Sequence, residues 1–79
     1  TVALIQTHAD RSPESNRLRT AEKVHAAADK GAQIVCLQEL FTSLYFCHDE
    51  SLEFFDLAET IPGPTTDQFS KIARERGIV

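Results

Sequence analysis

Glu39 is the residue of this chain best placed to do chemistry. Only Gln38 separates it from the apolar run Ile34-Val35-Cys36-Leu37, and Leu40-Phe41 follow it directly. A carboxylate between apolar neighbours is predicted to be partly desolvated, which is how a glutamate is tuned to take up and return a proton near neutral pH. General base or general acid catalysis is the chemistry expected of it. On placement alone a second reading stays open, because a carboxylate just past a strand is also often a solvated loop residue or a cap. Tyr45 follows closely enough to be a candidate substrate-binding wall, though tyrosine packs in cores as readily.

Other reactive side chains point to weaker chemistry. Cys47 beside His48 has the composition of a nucleophile and its base. Adjacent residues rarely aim their side chains at each other, so Cys47 is expected to be a buried or pocket-wall thiol. Cys36 falls mid-run and is expected in the core. A zinc site from Cys36, Cys47 and His48 lacks a fourth ligand and the usual paired spacing, so no metal is expected. His8 and His25 read as solvated. The acidic residues Asp49, Glu50, Glu53, Asp56 and Glu59 form either a wet face or a rim that attracts cationic substrates.

These residues need a frame. Val2-Ala3-Leu4-Ile5 and Ile34-Val35-Cys36-Leu37 are short continuous apolar runs, the pattern of strands covered on both faces. Between them lies a polar loop, Thr7 to Ser15, with Pro13 as a breaker. A helix follows from Leu18 to Lys30, with Asn16 as its N-cap. Leu18, Ala21, Val24 and Ala28 share one face, and Gly31 supplies the left-handed stop. Strand, helix and strand with short connections make the two strands parallel neighbours. Ligands bind beyond the carboxyl ends of such strands, where Glu39 sits.

Downstream, Ser51 to Ala58 is expected to form a short helix and Ile61-Pro62-Gly63-Pro64 a rigid turn. Thr65 or Thr66 then caps a helix with Phe69, Ile72 and Ala73 inward, ending at Gly77. The fold class is α/β, and incomplete.

The stretch from Gly31 through Ile34-Val35-Cys36-Leu37-Gln38-Glu39-Leu40-Phe41 resembles the first catalytic motif of the nitrilase superfamily of carbon–nitrogen hydrolases. Val2 to Gln6 is similar to that family's first strand, Asn16 to its helix-opening asparagine, and Ile61 to Thr65 to the turn before its second helix. The resemblance covers the whole chain in order. Tyr45-Phe46-Cys47 and Leu57 to Pro64 are most similar to the branch that hydrolyses N-carbamoylputrescine.

The resemblance implies an αββα sandwich and a Glu-Lys-Cys triad acting on a small carbamoylated amine or amide, without cofactor, in a homo-oligomer. The glutamate activates a thiol, since only a thiolate is a competent nucleophile, and the lysine stabilises the oxyanion. Glu39 matches the base; the family places the lysine and the nucleophilic cysteine beyond Val79. Other branches stay open: β-ureidopropionase-like, D-carbamoylase-like or ω-amidase-like. Outside the enzymes, a non-catalytic α/β interaction module is the rival. A receiver-type module wants acidic residues after its first strand, where this chain has Gln6-Thr7-His8.

Both ends read as cuts. The chain opens without Met in an apolar run, and it stops at Ile78-Val79, just past Gly77, where a third strand is due. Residues 1–79 are therefore expected to be the N-terminal fragment of one hydrolase domain. Chains this short bury only about 60% of the surface exposed on unfolding, so a stable fold alone is not expected. The net charge of −4, with basic residues scattered among acidic ones, argues against a nucleic-acid partner. No apolar run approaches the roughly 20 residues of a membrane span. Cysteine usage fits a reducing compartment, so the cytoplasm is expected.

Overall fold

The computed structural model describes residues Thr1–Val79. Its two strands, β1 (Val2–Ile5) and β2 (Ile34–Leu37), coincide with the two apolar runs. They pair in parallel with Val2 opposite Ile34 and Ile5 opposite Leu37. On the other edge of β2, the Val79 N–H donates to the Gln33 carbonyl at 3.0 Å and the Val35 N–H donates to the Val79 carbonyl at 2.8 Å. That alternation is the pattern of a parallel bridge, so Val79 pairs with the edge of β2 that β1 leaves free.

Helix α1 spans Pro13–Asp29, starting several residues before the expected Leu18. Pro13 is not a breaker here but the first helical residue, where its missing N–H costs nothing. Ser12 is the N-cap, its hydroxyl accepting from the Ser15 N–H at 3.2 Å, so the capping role expected of Asn16 belongs to Ser12. At the other end the Gly31 N–H reaches the Ala28 carbonyl and the Ala32 N–H the Ala27 carbonyl, at 2.9 and 3.1 Å. This closure requires the positive φ of Gly31, +87°. A 3-10 turn occupies Leu52–Leu57.

Helix α2 spans Pro64–Arg76 and closes the same way, with Gly77 at φ +63°. Neither Thr65 nor Thr66 caps it: Pro64 takes the first position, so the N-cap falls on Gly63, which has no side chain to offer.

The core lies on one side of the sheet. Ile5, Ala21, Val24 and Ile72 are buried together, with Val35, Leu37, Phe69 and Ile78 packed against them. The inward face of α1 is Asn16, Thr20, Ala21 and Val24, and Leu18 lies outside it at 59% exposure. A face with two buried polar residues is invisible to a search for apolar spacing. Opposite the helices, Val2, Leu4, Ile34 and Cys36 point outward, and Leu4 is 79% exposed. Within these residues the strands are covered on one face only, and Cys36 is not a core residue. No helix is long and apolar enough to cross a membrane.

Candidate active site

Glu39 stands at a bend just past the carboxyl end of β2. It contributes to a cleft of about 290 Å³. The loop after β1 supplies Ala9 to this cleft, the residues after β2 supply Gln38, Glu39 and Leu40, and the following segment supplies Ser43, Leu44 and Tyr45. The strand end thus brings Glu39 to the cleft, and two loops line it alongside.

The desolvation expected of Glu39 is absent in this chain, where the residue is exposed. Phe41, two residues on, packs edge-on against Phe69 of α2, ring centroids 5.3 Å apart.

Tyr45 shares the cleft and is 65% exposed. The nearby Cys47 thiol, through polar interaction and through charge repulsion when both ionise, pushes the Tyr45 hydroxyl above its ordinary value. The Glu39 carboxylate adds a smaller push of the same sign. The Tyr45 ring stacks on His48 at 5.9 Å between centroids, with the planes 19° apart. Cys47 is exposed rather than buried, and the ring of His48 stacks on Tyr45 instead of serving the thiol as a base. No three His, Cys, Asp or Glu side chains converge in a metal-binding group.

Two amide side chains hold the loops. Asn16 is 1% exposed and uses its whole hydrogen-bonding capacity. Its Oδ1 accepts from the Asp10 N–H at 2.8 Å and from Arg19 at 3.0 Å. Its Nδ2 donates to the carbonyls of Asp10 and Thr42, at 2.8 and 3.1 Å. Arg19 also binds the Asp10 carboxylate at 2.9 Å and the His8 carbonyl at 3.0 Å. That guanidinium and the Ser12 N–H hold the Asp10 carboxyl below its usual range. Gln38 Oε1 accepts from the Thr7 N–H at 2.9 Å, and its Nε2 donates to the Leu40 carbonyl at 3.3 Å. The sequence signal for Asn16 was its spacing of one and two helical turns from Thr20 and Val24; Gln38 carried none.

The acidic cluster divides. Asp49, Glu50, Glu53 and Asp56 are exposed, and Asp49 and Glu53 border a wider groove of about 730 Å³ that shares Tyr45 with the cleft. Glu59 is exposed as well, but it is tied into specific bonds. It accepts from the Thr65 hydroxyl and N–H and pairs with Arg17, which together hold its carboxyl below the usual range.

The family model described as carbon-nitrogen hydrolase matches residues 1–79. The N-carbamoylputrescine amidase of Solanum lycopersicum is 45% identical over 67 residues, covering 82% of this chain and 22% of that protein. Omega-amidase NIT2 of Mus musculus is 39% identical over 77 residues, 98% of this chain and 26% of its own length. The citrullinase of Francisella tularensis is 33% identical over 79 residues, 99% of this chain and 28% of that protein. The chain thus spans about a quarter of the length of the curated relatives it matches.

Proposed function

The chain belongs to the carbon–nitrogen hydrolase family, and on that premise we propose that it is the N-terminal part of an enzyme whose general base is Glu39. The enzyme hydrolyses N-carbamoylputrescine to putrescine, carbon dioxide and ammonia, consuming one water. The observation that carries the reading is the placement of Glu39: just past the carboxyl end of β2, exposed, in a cleft that Tyr45 also lines. Such a carboxylate is open to a nucleophile and a substrate brought by the rest of the protein.

In this reading Glu39 takes the proton of a cysteine supplied beyond Val79, and the thiolate attacks the carbamoyl carbon. A lysine, also beyond Val79, steadies the oxyanion. The protonated Glu39 returns its proton to the departing nitrogen, then acts again as base on the water that frees the enzyme. Tyr45 lines the substrate side of the cleft. The proposal takes the enzyme as a cytoplasmic homo-oligomer, on family resemblance alone.

A second reading has its own support. The omega-amidase relatives align over 98% of the chain at 38–39% identity, against 82–84% of the chain at 39–45% identity for the N-carbamoylputrescine amidases. Ammonia release by the whole protein from N-carbamoylputrescine and from a linear ω-amide separates the two. Preference for the carbamoylated amine is expected. Turnover of the ω-amide alone moves the assignment to the second reading.

A further inference from the structure

Two loops face each other across the Glu39 cleft, and neither has regular structure to keep it in place. One brings Ala9, the other Ser43 to Tyr45. Asn16 reaches both. It binds the N–H and the carbonyl of Asp10, next to Ala9, and the carbonyl of Thr42, next to Ser43. Gln38 makes the matching connection from the strand end, joining the Thr7 N–H to the Leu40 carbonyl. Between Glu39 and Tyr45, Leu40 and Thr42 are the two points at which the backbone is tied by a side chain.

We infer that Asn16 and Gln38 are positioning residues for Glu39, setting the width of the cleft and the direction of the carboxylate. The inference rests on the proposed role of Glu39 as general base. Its physical basis is the completeness of the Asn16 network. A fully satisfied, buried amide holds its partners in one arrangement, whereas a change to any of its four bonds leaves a buried polar group unpaired. Neither side chain reaches the reacting atoms in this account; each acts through the backbone that carries Glu39. Misplacing a catalytic group by about 1 Å costs up to about 100-fold in rate.

The whole protein, with Asn16→Asp, Gln38→Met, Thr20→Val and Glu39→Gln compared side by side, provides the test. Asn16→Asp keeps the acceptor that faces the Asp10 N–H and Arg19 but turns the donor toward the Asp10 and Thr42 carbonyls into a repelling oxygen. Gln38→Met keeps the length and loses both bonds, at a half-buried position that tolerates the change. Thr20 is fully buried on the same helix face and bonds only the Asn16 carbonyl within α1, so Thr20→Val weakens the helix without touching the loops.

Asn16→Asp and Gln38→Met are expected to lower kcat per folded molecule about 10- to 100-fold, with KM nearly unchanged, while Thr20→Val keeps kcat. If Asn16→Asp does not fold, Gln38→Met decides on the same criterion. Normal kcat in the two amide variants beside an inactive Glu39→Gln overturns this inference alone. Equal loss of kcat in Thr20→Val also overturns it, by reducing the effect to stability. An active Glu39→Gln removes the general base itself, and this inference with it.

Discussion

The Glu59 carboxylate accepts from both the N–H and the hydroxyl of Thr65, at 3.2 and 2.9 Å. Thr65 is the second residue of α2, and its N–H is one of the orphan donors of a helix start. Because Gly63 has no side chain to cap with, a residue upstream of the turn does so. The same carboxylate pairs with Arg17 of α1 at 2.9 Å, so one side chain joins both helices.

This arrangement sets a pH dependence. Hydrogen bonds from Thr65 and the charge of Arg17 lower the Glu59 pKa from its ordinary value of 4.5, so folding favours its ionised form. A depressed acid contributes stability that is complete above its unfolded pKa and lost as pH falls through the folded one. In the whole protein, Glu59→Ala is expected to cost about 1 kcal/mol, the size of a lost N-terminal cap. The difference should shrink as pH drops below the ordinary glutamate range. Urea midpoints at stepped pH measure it, and a constant difference down to acid pH would show that the bonds do not depend on the charge.

Gly63 has a separate constraint. A Cβ at this position would overlap the Thr60 carbonyl oxygen, which is backbone and cannot swing aside. Gly63→Ala is expected to destabilise the whole protein by about 1–3 kcal/mol, as overpacking does, and to leave kcat of the folded enzyme nearly intact. Thermal unfolding checks it; an unchanged midpoint would mean that the turn has room to shift.

Much of this frame is legible in the sequence, and the exceptions have physical causes. The strands coincide with their apolar runs, and both glycine stops are where expected, because these are local signals. The start of α1 was not legible: Pro13 and Asn16 each suit more than one role, and only the loops that Asn16 binds decide between them. Glu39 is legible as a strand-end carboxylate, but its exposure is not, because where neighbours such as Phe41 pack depends on residues distant in sequence, here Phe69 of α2. The segment from Thr42 to Glu50 carries no periodicity, so the Tyr45–His48 stack and the second side of the cleft could not be read from it.

Residues 1–79 expressed alone are expected to self-associate and to release no ammonia from N-carbamoylputrescine. Val2, Leu4 and Ile34 present one exposed apolar sheet face, and such a face with open edges favours aggregation. Size-exclusion chromatography and an ammonia assay test both points. A monomer with cooperative unfolding would contradict the first; turnover abolished by Cys47→Ser would contradict the second.

The central claim is that Glu39 is the general base, and kcat of Glu39→Gln in the whole protein measures it most directly. Glutamine keeps the size and the hydrogen-bonding reach of the side chain at an exposed position, so folding is expected to survive. What it cannot do is accept the thiol proton. Loss of a positioned base costs on the order of 10²–10⁴ in rate, and a fall of that size is expected with an unchanged thermal midpoint. Glu53→Gln, an exposed carboxylate at the edge of the wider groove, serves as the control and is expected to keep kcat. If Glu39→Gln instead holds kcat within about threefold of the unmodified enzyme, far less than a lost base costs, Glu39 is a structural residue and the account is wrong.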